Sequence, residues 1–411
     1  MTAWQQRGHG WRRLGFGGTA TELADGRPFL DVVTAGINQP WAAPAPDLGP
    51  LERTGSQGQA QRAWQSWLWK QYVETENPFR EKMVEFWRDR LVVSGRGVRV
   101  PHLLADYDRR LREGAFGDYR ELLWQVTTSP AMVVYLNNQQ NRRNGLNENL
   151  ARELLELFSV GRGVYTEVDV REAARALTGW VVRYDADQAY AEFVPQRHDG
   201  GRKTLLGQTG NFGLAEVVTL LANHPATAQK LAADLWGVLV YPEPSPSIVA
   251  EIAAVYQRSG RNLGAVVQAI VRHPEFESDR AYRAQIKTPV QFLVGAVRQL
   301  GIAANPTRAW QGLRAMGQVP YNAPTVKGWP QGEGWLTAPS LLTRLALADA
   351  LTGSYGDDSG FAWNAQDWTS EDLVAVLVDG QPDNVLWSAV RGLGVRETAA
   401  AILASPLYQL A

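Results

Sequence analysis

The sequence predicts a mainly α, multi-helix single domain with a small β-hairpin and long ordered loops rich in Pro, Gly and Trp. Three observations carry this. Apolar residues recur at helical spacing along most of the chain, most cleanly over residues 147–158; only residues 180–194 give a convincing strand signal; and the Pro/Gly-rich connections carry tryptophans, which loose linkers lack. One domain is expected over 1–411, with an extended N-terminal wrap (1–56), a core (57–352) and a C-terminal helical extension (361–411).

Composition narrows the function classes. A formal net charge of −1 gives no electrostatic reason to expect nucleic acid or an acidic membrane surface as partner. The absence of cysteine excludes disulfides, thiolate metal sites and a cysteine nucleophile. Residues 1–7 lack the apolar run of a signal peptide, and no stretch approaches the length of a membrane span, so no export signal and no membrane span are expected. Sixteen tryptophans is a high count. Most are expected in the core, but Trp is also a preferred platform for sugar rings, a pointer to carbohydrate.

The elements follow in order. Asn38-Gln39-Pro40 and Pro44-Ala45-Pro46 forbid long regular structure, so residues 1–56 read as a short helix and then an extended wrap. A helix over 59–73 places Trp64, Trp67 and Leu68 at core spacing. Asn77 caps and Pro78 opens the next, whose stripe is Met83, Phe86, Trp87 and Leu91 and which ends near Ser94-Gly95. Helices are expected at 107–112 and 119–126, then an apolar turn at 130–136 and a polar run at 137–141. The run ends at Gly145 and leaves Asn147 and Glu148 at a helix N-terminus, where the dipole favours carboxylates.

On residues 147–158, Leu150, Ala151, Leu154, Leu155, Leu157 and Phe158 fill one arc of the helix. Glu148, Asn149, Arg152, Glu153 and Glu156 fill the other. Arg152 lies four residues from both Glu148 and Glu156, with Glu153 beside them. Such a face either carries acid/base chemistry or is a solvated salt-bridge ladder.

Thr166 and Asp169 form a capping box for a helix running to Leu177 and stopping at Gly179. Residues 180–184 and 190–194 flank the turn 185–188 as a hairpin. The polar loop His198-Asp199-Gly200-Gly201-Arg202-Lys203 comes next. Loops on a rigid scaffold commonly carry sites; the alternative is a turn in which Asp199 bonds nearby backbone and Lys203 is solvated. Further helices are expected at 214–222, 225–236, 244–259, 263–272, 289–300, 306–316 and 340–351. His102, His224 and His273, each beside a proline, read as punctuation. Residues 320–335 form an ordered loop in which Trp329 and Trp335 either stack on a ring-shaped ligand, beside Lys327 and Glu333, or pin the loop down. A Gly/Asp-rich spacer (353–360) leads to short helices ending near Leu403.

The stretch from Asn147 to Gly161, with Tyr165-Thr166-Glu167 and Ala174-Arg175-Ala176-Leu177-Thr178-Gly179-Trp180, closely resembles the signature of a bacterial family, domain of unknown function 1800. Further blocks resemble it in the same order: His9 with Arg12-Arg13, Gly15-Phe16-Gly17, Ser129-Pro130-Ala131-Met132, His198-Asp199-Gly200, Lys203-Thr204-Leu205-Leu206-Gly207, His224-Pro225-Ala226-Thr227-Ala228, Lys287-Thr288-Pro289 and Val326-Lys327-Gly328-Trp329-Pro330. The resemblance brings no established activity. It implies a secreted or periplasmic setting, and as partner a protein of a second, co-encoded exported family. Family members of this type read Phe-Trp-His-x-His-Phe where this chain reads Phe86-Trp87-Arg88-Asp89-Arg90-Leu91. Arginine neither ligates a metal nor acts as a base near neutral pH, so the resemblance does not carry a function resting on those histidines over to this chain. Arg88 and Arg90 then either bind an anionic group or are solvated surface.

No phosphate-cradling glycine loop in a βαβ setting, no Gly-x-Ser-x-Gly elbow and no His-Glu-x-x-His is present. Carboxylates remain as equipment. The leading expectation is a cofactor-free hydrolase acting on an extracellular or cell-envelope polymer such as polysaccharide. Glu148, Glu153, His198 and Asp199 are the catalytic candidates; Asn147, Arg152, Lys203, Lys327, Trp329 and Trp335 are the substrate-binding ones, with no metal ligand. Two alternatives stand beside it: a non-catalytic envelope or assembly protein with a structural Glu–Arg network, and a metal-dependent enzyme that has lost its histidine pair.

Overall fold

Helix starts follow the local chemistry of the sequence. Asn77, Ser129, Thr288 and Asn305 each accept a hydrogen bond from a first-turn backbone N–H, and each is followed by proline in the first helical position. The computed structural model describes residues 1–51, 57–185, 188–353, 359–380 and 383–411. Helices dominate these residues, and the sheets among them are three antiparallel pairs of short strands. Residues 186 and 187 of the expected hairpin turn, and 354–358 of the expected spacer, lie outside the described residues.

The N-terminal segment is more regular than its composition suggests. Three helices, Ala3–Leu14, Ala20–Ala24 and Phe29–Asn38, replace the expected single short one. Thr2 with Gln5 and Thr19 with Glu22 form capping boxes that start the first two. Only from Gln39 does the chain become extended, where Pro40, Pro44 and Pro46 do forbid a helix. The next helices are Gly58–Val73 and Pro78–Arg90; the second ends at Leu91, short of Ser94.

The central helix spans Asn149–Glu156, with Glu148 at its N-cap. Leu150, Ala151, Leu154 and Leu155 are buried in one core shared with Trp64, Leu68, Trp69, Met83, Trp87 and Phe292. The helix Glu167–Ala176 packs beside it. The hairpin pairs Trp180–Tyr184 with Ala189–Phe193, Trp180 facing Phe193. A second hairpin, unforeseen from the sequence, pairs Lys203–Leu205 with Gln208–Gly210. Its two turn residues, Leu206 and Gly207, both have positive φ, as a two-residue turn matching the strand twist requires.

A buried ionic chain ties Pro78–Arg90 to the helix Pro101–Gly114. Glu81 pairs with Arg112, Arg112 with Asp108 at 2.5 Å, Asp108 with Arg88 at 2.5 Å, and Arg88 with Glu85 at 3.1 Å. Tyr321 donates to Asp108 at 2.6 Å, and Arg88 donates to Tyr72 at 2.6 Å. Arg88 is therefore neither solvated surface nor an open anion site: its side chain is 2% exposed and spent in this chain.

On the same helix Lys82 is buried against the ring of Phe16. Burial, helped by Arg13, pulls its ammonium down to about 7. The unfolded chain then binds more protons than the folded one between about pH 7 and pH 10.5, so this group makes stability rise with pH across that window. Lys82→Met is expected to remove this slope and to stabilise the protein near pH 7 by up to about 4 kcal/mol; urea unfolding at a series of pH values measures both.

Candidate functional site

The polar face of the central helix divides into two parts. Glu148 pairs with Arg152 at 3.4 Å, and Arg152 makes two hydrogen bonds of 2.7 Å to Glu167, the first residue of the neighbouring helix. Glu148 is thus an anchor between helices, and Asn147 braces the same end by accepting a hydrogen bond from the Asn149 backbone. Glu153 differs: its carboxyl accepts no hydrogen bond and makes no ion pair among the described residues, and it is half-buried. Burial pushes its pKa up, as does neighbouring Glu156, while Lys327, Arg152 and Arg162 pull the other way. Burial also raises Glu156, but hydrogen bonds from Arg162 (2.7 Å) and Tyr165 (2.9 Å) outweigh it and hold that carboxyl below the usual range.

The His198 loop is occupied with its own architecture. Arg175 binds the Asp199 carboxylate at 2.7 Å and holds it down at about 2. Lys203 is buried; its ammonium donates to the backbone carbonyls of Asp199 (2.5 Å) and Gly201 (2.9 Å). Burial pulls its pKa down against the opposing charge of Asp199. The expectation of a solvated Lys203 is therefore corrected: the ammonium closes the loop from within. The imidazole of His198 sits against Phe193, with Nδ1 at 3.1 Å from the Thr178 hydroxyl and 3.0 Å from its carbonyl.

The loop 320–336 supplies the other wall. Trp329 and Trp335, 7% and 3% exposed, pack on Val92 and Ala323. They pin the loop, so no open indole face is left for a sugar ring. Asp89 reaches into the loop from Pro78–Arg90, accepting from the Trp329 backbone N–H at 3.2 Å and from the Gln331 amide at 2.6 Å. Gly328 has φ +84°, and a Cβ there would run into the Asp89 carboxylate. Clasped in this way, the loop presents Lys327 to solvent, without a salt-bridge partner among the described residues.

Two adjoining hollows of about 370 and 410 Å³ share Asp89, Arg90 and Lys327 as walls. Glu156, Arg162 and Lys230 complete the first, and Asp234, Glu243 and Gln285 help line the second. Arg90 pairs with Asp234, which also meets Lys230 at 3.5 Å. Glu153 lies one helical turn back from Glu156, with Lys327 among its charged neighbours. Of the residues nominated from sequence, Lys327 alone lines these hollows; Glu153 has Lys327 among its charged neighbours but, like Glu148, His198, Asp199 and Lys203, lines neither. A larger hollow of about 570 Å³ lies under the N-terminal wrap, walled by Trp41 and Trp67, and contains none of the nominees. No three His, Asp or Glu side chains converge as a metal-binding set among the described residues.

Sequence reasoning missed Asp89, Lys230 and Asp234. Asp89 and Asp234 take partners far along the chain, about which helical spacing is silent; the Lys230–Asp234 pair stands at helical spacing, four residues apart. Burial raises Asp89 to about 6, against the hydrogen bonds from Trp329 and Gln331. Its neutral form is favoured on folding, so it contributes stability below about pH 4 that is lost as pH rises through about 6. Asp89→Asn keeps the shape without the charge. It is expected to stabilise the protein above pH 6, by roughly 2 kcal/mol, and to flatten the melting temperature between pH 4 and 6; calorimetry at several pH values measures this.

No curated protein and no solved structure matches the chain. Nor does any helix among the described residues have the length and apolarity to cross a membrane. The motif blocks around the central helix, the His198 loop and the Lys327 loop are parts of one family pattern, which matches residues 9–410, and the chain belongs to that family, described as a protein of unknown function (DUF1800).

Proposed function

We propose that the chain is a hydrolase acting on an extended extracellular or cell-envelope polymer, polysaccharide foremost, and that Glu153 is its proton donor. One observation carries the reading: a half-buried carboxyl with no hydrogen-bond partner among the described residues, pushed up by burial, with the exposed Lys327 among its charged neighbours and one helical turn from Glu156, which lines a charged hollow. A carboxyl whose protonated form is favoured by burial is suited to give its proton to the departing oxygen of a scissile bond. A second carboxylate, Glu156 or Asp89, takes a proton from the attacking water, whose oxygen forms the new bond, so the step needs no cofactor. Lys327, Arg90, Lys230 and Arg162 would position the polymer. Trp329 and Trp335 serve by holding the loop rather than by stacking.

A second reading, a non-catalytic envelope or assembly protein, is favoured by one different observation. The Glu148–Arg152–Glu167 and Arg175–Asp199 pairs are used between elements, as architecture uses them. A turnover screen with envelope polysaccharides, run on wild type and Glu153→Gln, separates the two. The hydrolase reading expects turnover that falls by on the order of 100-fold in Glu153→Gln, with the melting temperature unchanged. Equal turnover in the two proteins removes the acid role. No turnover by either protein, together with capture of a protein from the second exported family, establishes the assembly reading.

A further inference from the structure

The helix Ala338–Thr352 is apolar nearly all round, yet only one side of it faces the core. Leu347, Ala348 and Leu351 are buried against the rest of the chain, with Ala348 and Leu351 at 1% and 0% exposure. Ala338, Pro339, Leu341, Leu342, Leu345 and Ala346 are exposed, Leu342 at 67%. At about 100° per residue these six fall on one continuous arc. A helix that is apolar all round is normally covered all round.

We propose that a second copy of this chain covers the arc, helix against helix and antiparallel, about a two-fold axis between Leu342 and Leu345. The charge pattern selects this occupant. A two-fold contact sets a patch against itself, so any charge on it meets its own image or whatever the symmetry places opposite. No exposed ionisable residue lies from Ala338 to Ala346, so self-contact brings no like-charge repulsion. A basic rim, which would suit an anionic lipid surface or an acidic partner, is absent from this span. The one charged residue on the arc is Asp349, a turn further on, and it makes no ion pair among the described residues. In the antiparallel arrangement residue i faces the residue whose number completes 687, so Asp349 lies against Ala338, the first residue of the partner helix. A helix start favours a carboxylate through its dipole; here Pro339 has no N–H and that of Ser340 is capped by Thr337, which leaves the N–H of Ala338 as the donor. A parallel arrangement would instead set Asp349 against Asp349.

The chain has no native cysteine, which makes the arrangement directly readable. Sedimentation velocity of the full chain is expected to show a dimer, and Leu342→Glu to weaken dimerisation by on the order of 100-fold, with unchanged circular dichroism. The double variant Ala338→Cys with Asp349→Cys is expected to form a covalent dimer on mild oxidation, while Asp349→Cys alone does not. A chain that stays monomeric up to 100 μM, a dimer indifferent to Leu342→Glu, or cross-linking by the single Asp349→Cys variant would each overturn the proposal.

Discussion

The loop that carries Lys327 and Trp329 depends on the pairing of Arg88 with Asp108. A guanidinium and a carboxylate taken out of water lose several kcal/mol of hydration each, and only close mutual contact with further hydrogen bonds offsets that loss. Here the pair is extended at both ends, by Arg112 and Glu81 on one side and by Glu85 on the other, with Tyr72 and Tyr321 bonded to it. Tyr321 stands at the start of the loop that carries Lys327 and Trp329, and it adopts a left-handed backbone conformation, φ 60°. The hydroxyl bond to Asp108 therefore holds a backbone that a bulky residue seldom adopts. Loss of one partner would leave a buried charge alone and release the loop together with the helix contact.

A second constraint acts within the same turn of that helix. Arg88 points inward to the ionic chain, Asp89 to the loop backbone, and Arg90 across to Asp234. Three consecutive side chains thus serve the core, the loop and the hollow in turn. Such a division follows from the 100° step between neighbours on a helix, which sends successive residues to different surroundings.

Much of the fold was legible in the sequence, and the reasons are local. Proline behind a capping side chain placed several helix starts, and the leucine arc of residues 150–155 placed the buried side of the central helix. Two of the three helices before Gln39 were hidden because glycine and proline content was read over the whole segment, while the capping boxes that start Ala3–Leu14 and Ala20–Ala24 act over four residues. The turn at Leu206-Gly207 was hidden because leucine rarely takes positive φ. The site was half legible. The three acids of the central helix were visible as a face, but which of them lacks a partner is decided by Glu167, Arg162 and Tyr165, residues of the following segment. Tryptophans at 329 and 335 suggested a stacking platform; packing on Val92 and Ala323 uses their surface instead.

The glycine at position 328 sets what this loop can become. Its backbone lies in a region closed to other residues at low cost, and the Asp89 carboxylate occupies the space a side chain would take. Neighbouring Thr325 and Lys327 are exposed. The loop is consequently a graftable lip: its outer residues are open to wholesale exchange, provided the glycine at 328 stays in place as the hinge pin of the clasp.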